Sequence, residues 1–330
     1  MKAILEYLYG GGTLTTAEAE EVLLKIGQNR FSEIEISSFM TVYLMRKINP
    51  RELAGFRNAL LKLCVAVDLS EFEPIDVCGT GGDGKNTFNI STLSAFVLAG
   101  AGIRVAKHGN YGVSSPVGSS NLFEQAGYRF SNDPKRLRRE MEETGITFLH
   151  APLFHPAMKF VAPVRKALKT KTFFNMLGPM INPAFPKYQL VGVYSTDVQD
   201  LYSLVFRETE CQHLIIHSLD GYDEISLTGT TRVVSNSSEE IIDPASLGFD
   251  RVEHEALYGG NSAGEAITIF RNILHDRGNF QQKNVVLANS AAGIRCIYPE
   301  KSWETCVAIA RESLESGKAL QAFNKLISLQ

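Results

Sequence analysis

The chain is expected to be an α/β protein: a small helical domain at the N-terminus, a large α/β domain with a mostly parallel central sheet, and an active site in the cleft between them. Three observations predict this. The first seventy residues carry successive helix start signals and no strand pattern. From Pro74 onward, short apolar runs alternate with helical pieces. Glycine-rich turns follow the first two of those runs.

The helix starts come first. Thr15 precedes Glu18 by three positions, Ser32 precedes Glu35, and Asn49-Pro50 precedes Glu52; in each case an oxygen-bearing side chain stands ready to cap the next turn while the acid reaches back. Between Ser32 and Lys47 the residues Ile34, Phe39, Val42 and Tyr43 recur at helical spacing, and Met45 and Ile48 extend the apolar character around the cylinder. That helix is expected to be buried on more than one side, which makes the domain a candidate subunit interface.

The α/β elements follow in order. Ile75 to Cys78 reads as a strand, then a glycine-rich stretch, a helix from about Ser91 to Ala101, and a second strand at Ile103 to Ala106. A helix begins after Asn132-Asp133-Pro134. Gln189 to Tyr194 and His213 to Leu219 read as further strands, and Ser262 to His275, Asn284 to Ala292 and Ser302 to Leu314 as helices. Two proline-rich connections, His150 to Pro156 and Leu177 to Pro183, bracket a helical piece carrying Arg165, Lys166, Lys169 and Lys171. Read as crossings, they divide the chain into a helical domain, 1–72 joined by 155–180, and an α/β domain, 73–154 with 181–330.

Composition narrows the class. With 330 residues and 44% hydrophobic content the chain can fill a large core, while a net charge of -3 and a pI near 6.2 give no basic footprint for nucleic acid. The five cysteines are scattered and form no CxxC pair, which argues for reduced core residues rather than disulfides or zinc. No apolar run reaches membrane-spanning or signal-peptide length, so a cytoplasmic protein without membrane partners is expected.

The chemistry concentrates in three stretches. In Asp76 to Thr92, four glycines at 79, 81, 82 and 84 lie between a strand and a helix, where backbone N–H groups approach an oxyanion closely. Asn89, Ser91 and Thr92 open the following helix, whose dipole favours negative charge. A glycine turn alone is usually only a turn; this one is neither a Walker loop nor GxGxxG. The second stretch, Lys107 to Asn121, ends the next strand and offers Lys107, His108, Asn110, Ser119 and Ser120 beyond the carboxyl ends of the sheet. The third, Ser218 to Ser226, presents Asp223 and Glu224 after an apolar strand. Adjacent carboxylates are commonly surface decoration, but beside a phosphate cradle they suit Mg²⁺ that substrate phosphates also hold. The remaining histidines and Trp303 read as packing or surface residues.

Together, GTGGD, KHGN, HPAMK with a following VR, FNMLGP and the Asp-Glu pair resemble the anthranilate phosphoribosyltransferases of tryptophan biosynthesis, over nearly the whole chain. That resemblance implies transfer of a phosphoribosyl group from phosphoribosyl pyrophosphate to anthranilate, and dimerisation through the helical domain. By matching position, Gly79, Thr80, Gly82, Asp83, Asn89, Ser91, Thr92, Lys107 and Ser119 would contact phosphoribosyl pyrophosphate. Ser91, Asp223 and Glu224 would hold Mg²⁺, with two ions expected. Gly79, His108, Asn110, His155, Arg165 and Gly178 would receive anthranilate, and His108, Arg165, Asp223 and Glu224 form the catalytic set. The sequence departs from the family pattern at Tyr111, Gly112, Pro116, Val117 and Phe160. Alternatives on the same fold are a pyrimidine nucleoside phosphorylase-like enzyme, which the Asp-Glu pair and the HPAMK region argue against, and a non-catalytic nucleic-acid-binding relative, which the charge argues against.

Overall fold

The computed structural model describes residues 1–112 and 116–330, so the second glycine-serine stretch is described up to Gly112 and again from Pro116. The chain forms two compact units, Met1–Ala66 with Ala151–Pro183, and Val67–His150 with Ala184–Gln330.

In the first unit the three start signals act as read. Helices Thr16–Gly27, Glu33–Met45 and Pro50–Leu63 each begin with a reciprocal capping box, at Thr15 with Glu18, Ser32 with Glu35, and Asn49 with Glu52. Such a cap is worth about 1 kcal/mol. A shorter helix, Lys2–Tyr9, precedes them, and Ala162–Leu168 and Phe174–Leu177 complete the unit from the later segment. Its centre is aromatic: Phe56 stacks on Phe173 at 4.6 Å, and Tyr43 meets Phe173 edge-on at 5.1 Å. Glu52 is fully buried and wholly occupied. It pairs with Arg46 at 2.5 Å and 2.9 Å and accepts from the N–H groups of Leu14 and Asn49 and the Tyr43 hydroxyl. The Glu33–Met45 helix buries Ile36, Phe39, Met40, Val42 and Tyr43. Ile34 and Met45, expected on the buried faces, are instead 79% and 83% exposed in the single chain, because the inward stripe runs through Ile36 and Met40.

The second unit is built on a seven-stranded sheet. Its strands are β1 (Ile75–Val77), β2 (Val105–Gly109), β3 (Ile146–His150), β4 (Tyr188–Gly192), β5 (Gln212–Ser218), β6 (Thr231–Ser235) and β7 (Glu239–Ile242), in the order β3-β2-β1-β4-β5-β6-β7. β1 to β5 pair in parallel, and β6 and β7 add an antiparallel edge. β1 lies between β2 and β4, the place where strand order reverses and ligands bind at carboxyl ends. The parallel strands are almost wholly buried, as helices on both faces require.

Some boundaries differ from expectation. β2 begins two residues later and continues through Gly109, since its register with β3 runs from Val105 opposite Ile146 to Gly109 opposite His150. Lys107 and His108 therefore lie inside the strand rather than after it. The helix expected over Asn284 to Ala292 spans Phe280–Ile297, with Asn279 as its cap.

Candidate active site

Three strand ends build the site. Where β1 stops, Cys78 N–H donates to Leu190 O at 3.2 Å and Thr80 N–H to Gly192 O at 2.8 Å, so β4 guides the first residues of the loop. Gly81, Gly82 and Gly84 then turn it with φ of 59°, 81° and 74°, a region that strains residues bearing a β-carbon. Gly79 is needed for close approach: a β-carbon there would stand 2.9 Å from Asp223 Oδ2. The loop and the acidic turn touch directly. Gly81 N–H donates to Asp223 Oδ2 at 2.7 Å, and the carboxyls of Asp83 and Asp223 lie close enough to perturb one another's ionisation.

Ser91 stands in the first turn of helix Ile90–Gly100, where its backbone N–H favours the ionised Glu224 carboxylate, and its hydroxyl accepts from Lys107 Nζ at 3.3 Å. Lys107 Nζ also donates to Val77 O, which satisfies a buried ammonium inside a strand. Residues 79–84, Ser91, Lys107 and the Asp223–Glu224 pair thus surround one place at the carboxyl ends of β1, β2 and β5.

Charge is crowded there. Burial first, and the charge of Asp83 second, push Asp223 up to about 7. Burial and then Asp223 raise Glu224 well above the ordinary carboxylate range, with Lys107 opposing, and burial also raises Asp83. A divalent cation would relieve this repulsion, so the donor set fits Mg²⁺. No group of three or more acidic, histidine or cysteine side chains among the described residues is spaced to hold a metal alone. This matches the habit of Mg²⁺, which takes one or two carboxylates and leaves the remaining positions to phosphate oxygens and water.

The other predicted residues of this unit lie on or just beyond β2 and at the starts of helices Ile90–Gly100 and Ser119–Ala126. His108 is buried, and its backbone N–H donates to Asp76 Oδ1 at 3.0 Å. Asn110 O accepts from Ser120 N–H at 3.1 Å and from the Ser119 hydroxyl at 3.4 Å, at the start of helix Ser119–Ala126. Asn89 does not cap its helix through its side chain; its amide donates to Val117 O at 3.2 Å. Thr92 is buried in the same helix. Tyr111 donates its hydroxyl to Glu124 at 2.7 Å and meets His150 edge-on at 5.0 Å.

His155, Arg165 and Gly178 belong to the helical unit. His155 is buried, and burial lowers its pKa to about 4 and so holds it neutral, with the nearby Ile181 backbone opposing. The Arg165 guanidinium lies over the Phe174 ring at 5.7 Å, and desolvation depresses its pKa. Gly178 opens the short turn Gly178–Met180, with nothing within 4 Å of where a β-carbon would point.

Residues 72–320 match the family described as Glycosyl transferase family, a/b domain, and residues 2–64 match Glycosyl transferase family, helical bundle domain. The anthranilate phosphoribosyltransferase of Bacteroides fragilis is 51% identical, over 100% of this chain and 99% of the relative. The chain belongs to the anthranilate phosphoribosyltransferase family. A solved family member from Thermus thermophilus superposes with a TM-score of 0.92 at 32% identity, covering 98% of both chains. The Saccharomyces cerevisiae anthranilate phosphoribosyltransferase, solved in complex with PRPP and Mg, gives 0.91 at 26% identity, over 100% of this chain and 98% of that one.

In this family member, two residues that shape the site have no clear signal in the sequence. Asp76 anchors His108 from inside β1. Gly192 ends β4 so close to Asp223 that a β-carbon would overlap its carbonyl oxygen. A glycine ending an apolar strand was the available signal for the second; the first looked like an ordinary strand residue.

Proposed function

We propose that this protein transfers the phosphoribosyl group of phosphoribosyl pyrophosphate to the amine of anthranilate, giving N-(5-phosphoribosyl)anthranilate and pyrophosphate for tryptophan biosynthesis. One observation carries the reading: a glycine loop, a buried lysine and an acidic pair are brought together at neighbouring strand ends, an arrangement suited to a diphosphate with its cation. Membership in the family and the Mg-bound PRPP complex of the yeast relative support it.

In this reading Gly79, Thr80, Gly82, Asp83, Asn89, Ser91, Thr92, Lys107 and Ser119 receive the donor, whose anionic oxygens meet the loop N–H groups and the Lys107 ammonium. Mg²⁺, two ions by our assignment, would be held by Ser91, Asp223 and Glu224 and would supply positive charge to the leaving diphosphate. The protein's own work is positioning and neutralisation. Departure of the diphosphate leaves positive character on the ribose anomeric carbon, and the aryl amine attacks the opposite face. No strong base is needed, because that amine is already neutral at physiological pH and the acidic arylammonium formed on attack gives its proton to the departing diphosphate or to water. The Arg165 fork pairs with the anthranilate carboxylate, while Gly79, Asn110, His155 and Gly178 bound the ring and His108 orients it.

We assign the protein to the cytoplasm and to a homodimer joined through the helical unit, with neither nucleic acid nor membrane as partner. Ile34 and Met45, exposed on one helix, support the dimer. No described helix is long and apolar enough to cross a membrane.

The decisive experiment mixes purified protein with donor, Mg²⁺ and anthranilate and follows loss of anthranilate fluorescence. Metal-dependent consumption is expected; none under any donor concentration would end the proposal. Asp223→Asn with Glu224→Gln should cripple both turnover and its metal dependence, and near-normal activity would refute their role.

A further inference from the structure

Asn289 lies within the Phe280–Ile297 helix, in the apolar run Val285 to Ile294, and is 1% exposed. A polar amide in that setting must be satisfied or it destabilises the core. Its satisfaction is specific. Asn289 Oδ1 accepts from Ile225 N–H at 2.9 Å, and Asn289 Nδ2 donates to Ile225 O at 2.9 Å and to Val285 O at 2.8 Å. The side chain thus serves a residue 64 positions earlier as a neighbouring strand would, pairing both backbone groups at once. Ile225 is itself 1% exposed and directly follows Asp223 and Glu224.

The other side of the same turn is held by a hydroxyl. Ser218 Oγ donates to Glu224 O at 2.6 Å and accepts from Ser226 N–H at 3.1 Å. Gly192 leaves the space that the Asp223 carbonyl occupies. The acidic pair therefore sits on a backbone fixed at Asp223, at Glu224 and at Ile225. Of these three restraints, the amide on Ile225 comes from a helix that supplies none of the residues assigned above to either substrate.

We infer that Asn289 is a positioning residue for the Asp223–Glu224 pair, setting the backbone from which both carboxylates would reach the metal ion. The inference rests on the metal role proposed for that pair. An amide with one oxygen and one NH₂ is the only uncharged side chain of this size able to satisfy both an N–H and a C=O of one peptide residue. An apolar substitute would leave both groups of Ile225 unpaired and the carboxylates free to turn.

The test compares Asn289→Ala with Ser290→Ala, an equally buried neighbour whose hydroxyl bonds only within its own helix, to Val286 O at 2.7 Å. Two readouts are taken on the intact protein: the Mg²⁺ concentration for half-maximal turnover, and calorimetric binding of Mg²⁺ with inorganic pyrophosphate. Asn289→Ala should raise the first about tenfold and weaken the second equally, while KM for anthranilate stays within about twofold, as expected when the support of a metal-binding group is removed. Ser290→Ala should move neither. If folded Asn289→Ala keeps the wild-type metal midpoint and pyrophosphate affinity, or if Ser290→Ala shifts them as far, Asn289 is packing only. Should Asn289→Ala fail to fold, Asn289→Asp, which keeps the shape and the accepting oxygen but loses the amide donor, is read by the same two criteria. A failure here while Asp223→Asn with Glu224→Gln still abolishes metal dependence would sink this inference alone. Retained metal dependence in that double variant would sink the underlying assignment.

Discussion

Asp223 Oδ2 lies 2.9 Å from the point where Gly79, distant in the chain, would carry a β-carbon, and it accepts the N–H of Gly81 two residues on. The glycine loop and the acidic turn are thus in direct contact.

Gly79→Ala should therefore push loop and carboxylate apart while leaving the sheet intact. Steady-state kinetics should give a loss of roughly 100-fold in kcat/KM for the donor, the scale expected from displacing reacting groups by about 1 Å, with near-native circular dichroism. Wild-type kinetics in this variant would contradict the close contact.

The acidic cluster predicts an unusual pH response. Burial and the charge of Asp83 raise the Asp223 pKa to about 7 in the folded chain, whereas an unfolded aspartate ionises near about pH 3.9. Between those values the unfolded chain has lost a proton that the folded chain keeps, so this group's contribution to metal-free stability declines as pH rises through that window. Scanning calorimetry in chelator should show the decline and its flattening in Asp223→Asn. Mg²⁺ with pyrophosphate should raise the midpoint more at about pH 7.5 than at about pH 5, where protons compete for the same oxygens. An equal rise at both values would count against the carboxylates as ligands.

Arg165 tests the acceptor side. Its guanidinium is desolvated and faces an aromatic ring, a state suited to a flat carboxylate ligand. Arg165→Ala should raise KM for anthranilate roughly 10-fold to 100-fold and leave KM for the donor nearly unchanged; Arg165→Lys should restore little, since it lacks the fork. An effect confined to the donor would reverse the assignment.

Glu52 offers a prediction about stability alone. It is buried against Arg46 and receives backbone bonds from Leu14 and Asn49. Glu52→Ala should destabilise the helical unit by about 3 kcal/mol in urea titrations, because Arg46 and two N–H groups lose their partner together. A change within about 0.5 kcal/mol would mean that water replaces those bonds freely.

What could be read in advance was local. The three capping boxes needed only residues three apart, and the glycine loop needed only its own run of residues. Placement of Lys107 was less accessible: a charged residue looks like the end of a strand, and only the carbonyl of Val77 and the hydroxyl of Ser91, from two other elements, make its burial tolerable. β7 escaped the pattern because it is an exposed antiparallel edge, with Glu239 and Glu240 diluting the apolar run, and β6 because its buried apolar run is only Val233 and Val234 between polar residues. The full length of the Phe280–Ile297 helix was hidden for the opposite reason. It is buried almost all round and shows no amphipathic stripe. Asn289 and Gly192 matter through groups distant in the chain, which no window of neighbouring residues contains.

The end of β4 has a practical bearing on redesign. With the Asp223 carbonyl oxygen in the volume that even a methyl group on residue 192 would require, that codon admits one amino acid. A randomised library at position 192 should return glycine alone among active clones, so retargeting the pocket to other donors must proceed through the surrounding loops, with this strand kept as the fixed datum.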